Sequence, residues 1–298
     1  MKALVTGGAG FIGSNLVDKL IEMGHDVVCV DNESAESSDV FHWNDKAENH
    51  KIDILDMESM ESIYKDIDWV FHLAAETRIV PAIENPRKCF NTNVMGSLNI
   101  LELARKYNTS RVVVSSSSSV YGLGSPPNKE DDETDCLNPY ASSKLCVEEM
   151  SKMYHTLYGI NVINLRYFNV YGERMPSRGQ YAPVIGIFFR QKNNKEKLTI
   201  VGDGLQTRDF VYVKDVARAN IAAAETQNKD AFGESYNIGT SKTISVLDIA
   251  KIIGGDKYTF IPPRDGEARH SKANTDKIQF MWKPTVSLVE WIKNELNT

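Results

Sequence analysis

Short apolar runs alternate with longer stretches of helical periodicity through the first half of the chain. Lys2–Thr6, Asp26–Val30, Trp69–Leu73, Arg111–Ser115 and Asn161–Leu165 read as strands. Ile12–Glu22, Met57–Lys65, Asn91–Lys106 and Tyr140–Tyr158 read as the helices between them. Strands joined by helices of this length cross over right-handedly and build a parallel sheet with both faces covered. The unbroken Val112-Val113-Val114 centre suits such a doubly covered strand. Past about Arg166 the pattern loosens, with more Gly and Pro and shorter elements, although Val213–Thr226 and Leu288–Leu296 still read as helices.

A glycine turn sharpens this picture. Thr6-Gly7-Gly8-Ala9-Gly10-Phe11-Ile12-Gly13 joins the first strand to the first helix, with Gly7, Gly10 and Gly13 in G-x-x-G-x-x-G spacing. The first glycine permits a tight turn, the second lets backbone approach a pyrophosphate, and the third lets the helix pack closely. The helix start then offers unpaired N–H groups and partial positive charge to phosphates. Asp31, at the end of the second strand, is placed to accept hydrogen bonds from the adenosine ribose hydroxyls and to repel a 2′-phosphate, which favours NAD over NADP. Asn32 follows it, and Asp53-Ile54, after the next short strand, is placed for the adenine. The expected fold is α/β. A Rossmann-type doubly wound parallel sheet spans 1–166, rejoined by about 212–237, with a smaller, irregular α/β substrate domain from 167–211 and 238–298.

Composition narrows the partners. The 298 residues are 42% hydrophobic and 25% charged, which suits a water-exposed surface around a sizeable core. A formal charge of −6 argues against general nucleic-acid binding, which needs clustered Lys and Arg. Cys29, Cys89, Cys136 and Cys146 show no zinc-type or CxxC spacing, so reduced thiols and no metal are expected. The opening residues run straight into a strand and no apolar run reaches membrane-spanning length, so a cytoplasmic enzyme with no membrane partner is expected.

Candidate chemistry lies downstream. Tyr140 and Lys144 stand four residues apart, hence on one helix face. A tyrosine is a poor base near neutral pH, but a neighbouring ammonium and an oxidised nicotinamide favour its phenolate. By itself a Tyr-x-x-x-Lys pair occurs by chance about once in a chain with this composition. It gains weight from the dinucleotide turn and from the serine run Ser115–Ser119 one strand upstream. Serines at the C-terminal end of a parallel strand sit where open α/β sheets bind ligands. One of them can hydrogen-bond a substrate hydroxyl, while the others serve local backbone bonding.

These residues occur within an ordered set of motifs: TGGAGFIG, HLAA (His72–Ala75), NTNVMGSLNILE (Asn91–Glu102), SSSSSVYG (Ser115–Gly122), NPYASSK (Asn138–Lys144), RYFNVYG (Arg166–Gly172), GDGLQTRDFVYVKDVA (Gly202–Ala217), YNIGT (Tyr236–Thr240) and PRDGE (Pro263–Glu267). The set spans essentially the whole chain. It resembles the NAD-dependent epimerase/dehydratase family of extended short-chain dehydrogenases/reductases, and within it the UDP-hexose 4-epimerases. The resemblance implies that Tyr140 takes the 4-hydroxyl proton while NAD oxidises C4, and that the resulting 4-keto sugar turns over before reduction from its other face. It makes Ser117 the catalytic serine and gives Lys144 the nicotinamide ribose. Cofactor contacts are implied for Gly7, Gly10, Phe11, Ile12, Gly13, Asp31, Asn32, Asp53, Ile54, Leu73, Ala74, Ala75, Asn93, Ser115 and Tyr167. On the UDP-sugar side it implies Asn169, Arg208 and Arg264 at the diphosphate, Glu267 at the uridine ribose, Thr199–Val201 beneath the uracil, and Ser271 beside the sugar. Ser271 stands where hexose-restricted members carry a tyrosine, so N-acetylhexosamines are expected to fit as well. Thr77 departs from members that place a lysine near the cofactor phosphates. A homodimer through helices Asn91–Lys106 and Tyr140–Tyr158 is also implied.

Other readings remain open at this point. A 4,6-dehydratase needs an Asp-Glu pair after the catalytic serine, where this chain has Ser118 and Ser119. A UDP-glucuronate 4-epimerase or decarboxylase differs only in carboxylate recognition. A non-catalytic NAD-sensing or scaffold protein on the same fold would not need Ser117, Tyr140 and Lys144 together.

Overall fold

Period-two alternation along the strands sends adjacent apolar residues to opposite faces of one sheet, and both faces are buried. The computed structural model describes residues 1–35, 40–178, 182–263 and 268–297. Its strands are β1 (Lys2–Thr6), β2 (Asp26–Asp31), β3 (Glu48–Lys51), β4 (Trp69–His72), β5 (Arg111–Ser117), β6 (Val162–Tyr167), β7 (Asn169–Tyr171), β8 (Leu198–Val201), β9 (Thr207–Tyr212), β10 (Ser235–Ile238), β11 (Thr243–Ser245) and β12 (Tyr258–Ile261). Its helices are α1 (Phe11–Glu22), α2 (Met57–Ser62), α3 (Ile79–Glu84), α4 (Pro86–Phe90), α5 (Gly96–Lys106), α6 (Pro139–Tyr158), α7 (Val184–Asn193), α8 (Val213–Glu225), α9 (Val246–Gly254) and α10 (Leu288–Glu295).

Seven strands form an all-parallel sheet in the order β10-β6-β5-β4-β1-β2-β3, a doubly wound Rossmann-type arrangement. Val5, Phe71 and Val113 pack against Leu16, Val17 and Leu20 of α1 and Val216 and Ala217 of α8. Their neighbours Leu4, Val70, Val112 and Val114 pack on the other face against Ile100, Leu101 and Ala104 of α5 and Val147 of α6. Reversal of strand order between β1 and β4 opens the crevice where ligands bind in such sheets. A second core gathers Ile185 and Phe188 of α7, Leu198 and Ile200 of β8, Phe210 of β9, Ile249 and Ile253 of α9, and Ile292 of α10. It is carried on a three-stranded β11-β9-β7 sheet and a β12-β8 pair beside the main sheet.

The elements expected from the pattern recur with ends shifted by a few residues. β3, the short strand expected before Asp53, is Glu-Asn-His-Lys, an edge strand whose polar face protects the open sheet edge. Two features differ, each for a physical reason. Residues 79–84 and 86–90 are helical although Pro81 and Pro86 punctuate them; Pro86 begins α4 behind an Asn85 cap, a position where its missing N–H costs nothing. The stretch read as one helix over 91–106 starts as a π turn, Asn91–Met95, before α5 begins.

Candidate active site

The crevice is a cleft of about 590 Å³ that runs from the glycine turn to the second core. At one end Gly7 has φ +68, and a Cβ there would lie 2.8 Å from the Ala74 nitrogen. A Cβ on Gly13 would lie 2.1 Å from the Gly7 carbonyl oxygen. The third glycine therefore admits α1 against the turn itself rather than against the sheet. Gly10 is different: its Cβ would meet only Gly7 O at 3.3 Å and an Asp31 oxygen at 4.0 Å, so its open side faces the cleft. The first-turn N–H groups of Phe11, Ile12 and Gly13 lack intrahelical partners by geometry, and all three residues line the cleft. Asp31 Oδ2 accepts from Ala9 N at 3.2 Å and Oδ1 from Glu33 N at 2.8 Å, which fixes its carboxylate at the cleft wall. Burial raises its pKa, and these N–H donors oppose that rise. Bare N–H groups at a glycine cradle, with a fixed carboxylate a strand away, fit a dinucleotide diphosphate and a ribose diol.

The other end is built on α6. Asn138 caps it by accepting from Ala141 N at 2.9 Å, Pro139 opens its first turn, and left-handed Gly159 ends it. This fixes Tyr140 in the first turn, half-buried, and Lys144 one turn on, buried, both in the cleft wall. Ser117 ends β5 and lines the cleft with Tyr140. Burial raises the Tyr140 pKa; the Ser117 hydrogen bond and then the Arg78 charge lower it. Lys144 Nζ donates to the Ser115 carbonyl oxygen at 2.8 Å and approaches Ser115 Oγ at 3.4 Å. Burial depresses the Lys144 ammonium to about 8, against the opposing charges of Cys89 and Glu148. These contacts hold Lys144 at the end of β5.

Leu73, Ala74, Ala75, Asn32, Ile54, Ser115 and Tyr167 line the cleft on the dinucleotide side. Tyr167 presents its ring, because its hydroxyl turns back to Asn220 Oδ1 at 2.8 Å. Two residues expected beside the cofactor do not line the cleft. Asp53 is engaged by Asn32 Nδ2 at 3.0 Å and by Leu55 N at 2.9 Å. Asn93, in the π turn, sits behind the wall: its Oδ1 accepts from Glu76 N at 2.7 Å and its Nδ2 donates to Ser143 Oγ at 2.8 Å. It ties the loop after β4 to the residue preceding Lys144. On the substrate side Asn169, Thr199, Val201, Arg208 and Ser271 all line the cleft. Arg208 Nη1 donates to the Thr207 and Arg269 carbonyls at 3.0 and 2.9 Å, and Ser271 N donates to Thr207 O at 3.1 Å. Arg264 and Glu267 lie outside the described residues. Thr77, the departure noted in the sequence, lines the cleft with its side chain exposed.

Sequence reasoning missed Arg78, Ser119 and His270, which also line the cleft. Arg78 precedes α3 in a loop without periodicity, and only its position a few residues past HLAA hints at the site. His270 hydrogen-bonds Thr207 Oγ1 through Nδ1 at 2.9 Å, next to Arg208.

Comparison with known proteins places this geometry among relatives. The model of the NAD dependent epimerase/dehydratase family matches residues 3–239. A putative UDP-glucose 4-epimerase of Methanocaldococcus jannaschii is 42% identical, over 99% of this chain and 97% of that protein. The crystal structure of UDP-glucose 4-epimerase with UDP-glucose from Thermotoga maritima is similar with a TM-score of 0.93 and 37% identity, covering 100% of this chain and 98% of that one. The UDP-N-acetylglucosamine 4-epimerase of Methanobrevibacter ruminantium, solved with UDP-N-acetylmuramic acid, is similar with a TM-score of 0.91 and 33% identity, covering 99% and 97%.

Proposed function

Because the chain belongs to the NAD-dependent epimerase/dehydratase family, we propose that it is a UDP-hexose 4-epimerase that interconverts gluco and galacto configurations through a 4-keto sugar, N-acetylhexosamines included. One observation carries this reading: Ser117, Tyr140 and Lys144 line the same cleft that also holds the glycine turn and Asp31. NAD, when bound, supplies the oxidant at C4 and then the reductant, so it is recycled and not consumed. Gly7, Gly10 and the N–H groups of Phe11, Ile12 and Gly13 would hold its diphosphate, and Asp31 its adenosine ribose.

The chain's own residues then handle the proton. Tyr140, ionised, accepts it from the 4-hydroxyl, and Ser117 donates a hydrogen bond to the oxygen that becomes the ketone. Lys144 fixes the end of β5 and offers its ammonium to the nicotinamide ribose. Arg208 and Asn169 provide donors for the sugar-nucleotide diphosphate, a guanidinium being well matched to its oxygens. Ser118 and Ser119 carry no carboxyl group, so the acid–base pair that eliminates water across C5–C6 is missing. We read residues 1–166 with 212–237 as the NAD-binding unit and 167–211 with 238–298 as the UDP-sugar unit.

We further propose a homodimer through α4 to α6, where Phe90, Met95, Met153 and Leu157 are exposed apolar residues. The four cysteines are free, which fits a cytoplasmic setting, and among the described residues no helix is long and apolar enough to cross a membrane. The deciding experiment incubates the protein separately with UDP-glucose, UDP-N-acetylglucosamine and UDP-glucuronate and follows the anomeric protons by NMR. Appearance of the C4 epimer of the first two supports the reading. Turnover of UDP-glucuronate alone, to its epimer or to a pentose, replaces it with the uronate alternative.

A further inference from the structure

The oxygen of Ser117 is engaged twice by one neighbour. Ser119 donates its backbone N–H to Ser117 Oγ at 3.1 Å and its own hydroxyl to the same atom at 2.8 Å. The arrangement is backbone-built: Ser117, extended at φ −148 and ψ 142, caps the single 3₁₀ turn Ser118–Tyr121 that ends β5. Ser119 also lines the cleft, so it is part of the wall around the reacting groups. A serine hydroxyl has two lone pairs and one hydrogen. With both lone pairs occupied by Ser119, only the hydrogen is left to donate into the cleft that Tyr140 also lines.

We propose that Ser119 is a positioning residue that makes Ser117 a donor only, aimed at the place where the Tyr140 phenol oxygen meets the substrate's 4-oxygen. The consequence is a choice between two proton routes. In a relay, Ser117 would receive the substrate proton on Oγ and pass its own to Tyr140. With its lone pairs taken, that route is closed. The 4-hydroxyl O–H bond breaks and the Tyr140 O–H bond forms in one direct transfer; on return the same proton moves back, and Ser117 keeps its own throughout. Donation by Ser119 also polarises the Ser117 hydroxyl, so it stabilises a phenolate or a developing ketone oxygen better than an isolated serine would.

This rests on the epimerase reading, and the test separates the two. The enzyme with bound NAD is prepared as wild type, Ser119→Ala and Ser119→Thr, with Tyr140→Phe as spectral reference. Ser119→Ala keeps the backbone donor and loses only the hydroxyl. It should lower kcat roughly three- to tenfold, the scale of one neutral hydrogen bond. Weaker donation to the phenolate raises the Tyr140 pKa, so the rising limb of the kcat–pH profile moves to higher pH. KM stays within about twofold, and Ser119→Thr, which restores a hydroxyl, returns both rate and limb toward wild type. The near-ultraviolet tyrosinate absorbance, taken as the difference from Tyr140→Phe, shifts the same way without any turnover. A raised KM with an unmoved limb would mean that Ser119 contacts the sugar and does not orient Ser117. An unchanged limb and tyrosinate titration in Ser119→Ala overturns the proposal outright. If wild type epimerises no UDP-sugar, the functional reading fails, while the tyrosinate titration still decides the role of Ser119.

Discussion

At the glycine-turn end of the cleft the ligand-facing surface is mostly backbone: N–H groups of α1, a left-handed Gly7, and one carboxylate held by two further N–H groups. At the sugar end it is side chains from β7, β8, β9 and the segment around Ser271, with Arg208 braced by two carbonyl oxygens. The difference is one of tolerance. A backbone cradle depends on what is absent, so a single methyl group can block it or unfold it. A side-chain wall depends on what is present, and one substitution can re-size it without disturbing the fold. Tyr140 and Ser117 sit between these two constructions, on α6 and at the end of β5.

The largest effect is therefore expected at that junction. Tyr140→Phe removes the ionisable oxygen and should lower kcat by roughly 10²-fold or more, the scale of a lost acid–base group. NAD released from the denatured protein should stay near one per chain, because the cradle is untouched. Retention of more than about a tenth of the rate in a folded, NAD-loaded variant would move the base elsewhere.

An intermediate effect tests the side-chain wall. Ser271 lines the cleft and is anchored only by its backbone, through Ser271 N to Thr207 O at 3.1 Å. Ser271→Tyr adds a ring to that wall. Filling a space needed by an acetamido group costs about 1–3 kcal/mol, a tenfold to hundredfold loss on UDP-N-acetylglucosamine. UDP-glucose turnover should survive. Equal losses on both sugars would show that position 271 does not size the pocket.

The same contrast explains what was legible in the sequence. The glycine spacing, Asp31, and the Tyr140–Lys144 pair are local patterns whose meaning follows from strand and helix geometry, and the sheet follows from runs such as Val112–Val114. β3 is legible only as a short strand before Asp53, without bounds, because an edge strand of Glu-Asn-His-Lys carries no apolar signal. Arg78 and His270 come from loops, where no periodicity says which side chain turns inward. The spacing puts Lys144 and Tyr140 on one helix face, but it does not reveal that the Lys144 ammonium also donates to the Ser115 carbonyl. Arg264 and Glu267 were inferred from resemblance and lie outside the described residues.

The smallest effect, and the sharpest division, lies within the glycine turn itself. Gly10 and Gly13 look equivalent in the motif, yet their surroundings differ. At Gly13 a Cβ would sit 2.1 Å from Gly7 O and 2.8 Å from Gly8 Cα, both backbone, so the turn or α1 must shift. Alanine's better helix propensity, about 1 kcal/mol, works against this cost but does not remove the overlap. Overpacking of that kind costs about 1–3 kcal/mol, which lowers Tm by roughly 2 to 5 °C in a chain of this size, with or without NAD. Gly10 has φ −78 and ψ −177, a conformation open to alanine, and its Cβ would touch only Gly7 O at 3.3 Å. Gly10→Ala should therefore leave the Tm of the NAD-free protein nearly unchanged. Its methyl group would occupy the space where the diphosphate meets the α1 N–H groups, weakening NAD by about tenfold, a loss of about 1.4 kcal/mol. Thermal melts of both variants with NAD removed and then added back measure the two effects separately. A Gly10→Ala protein that melts early but binds NAD normally would reverse the assignment and place the diphosphate away from this glycine.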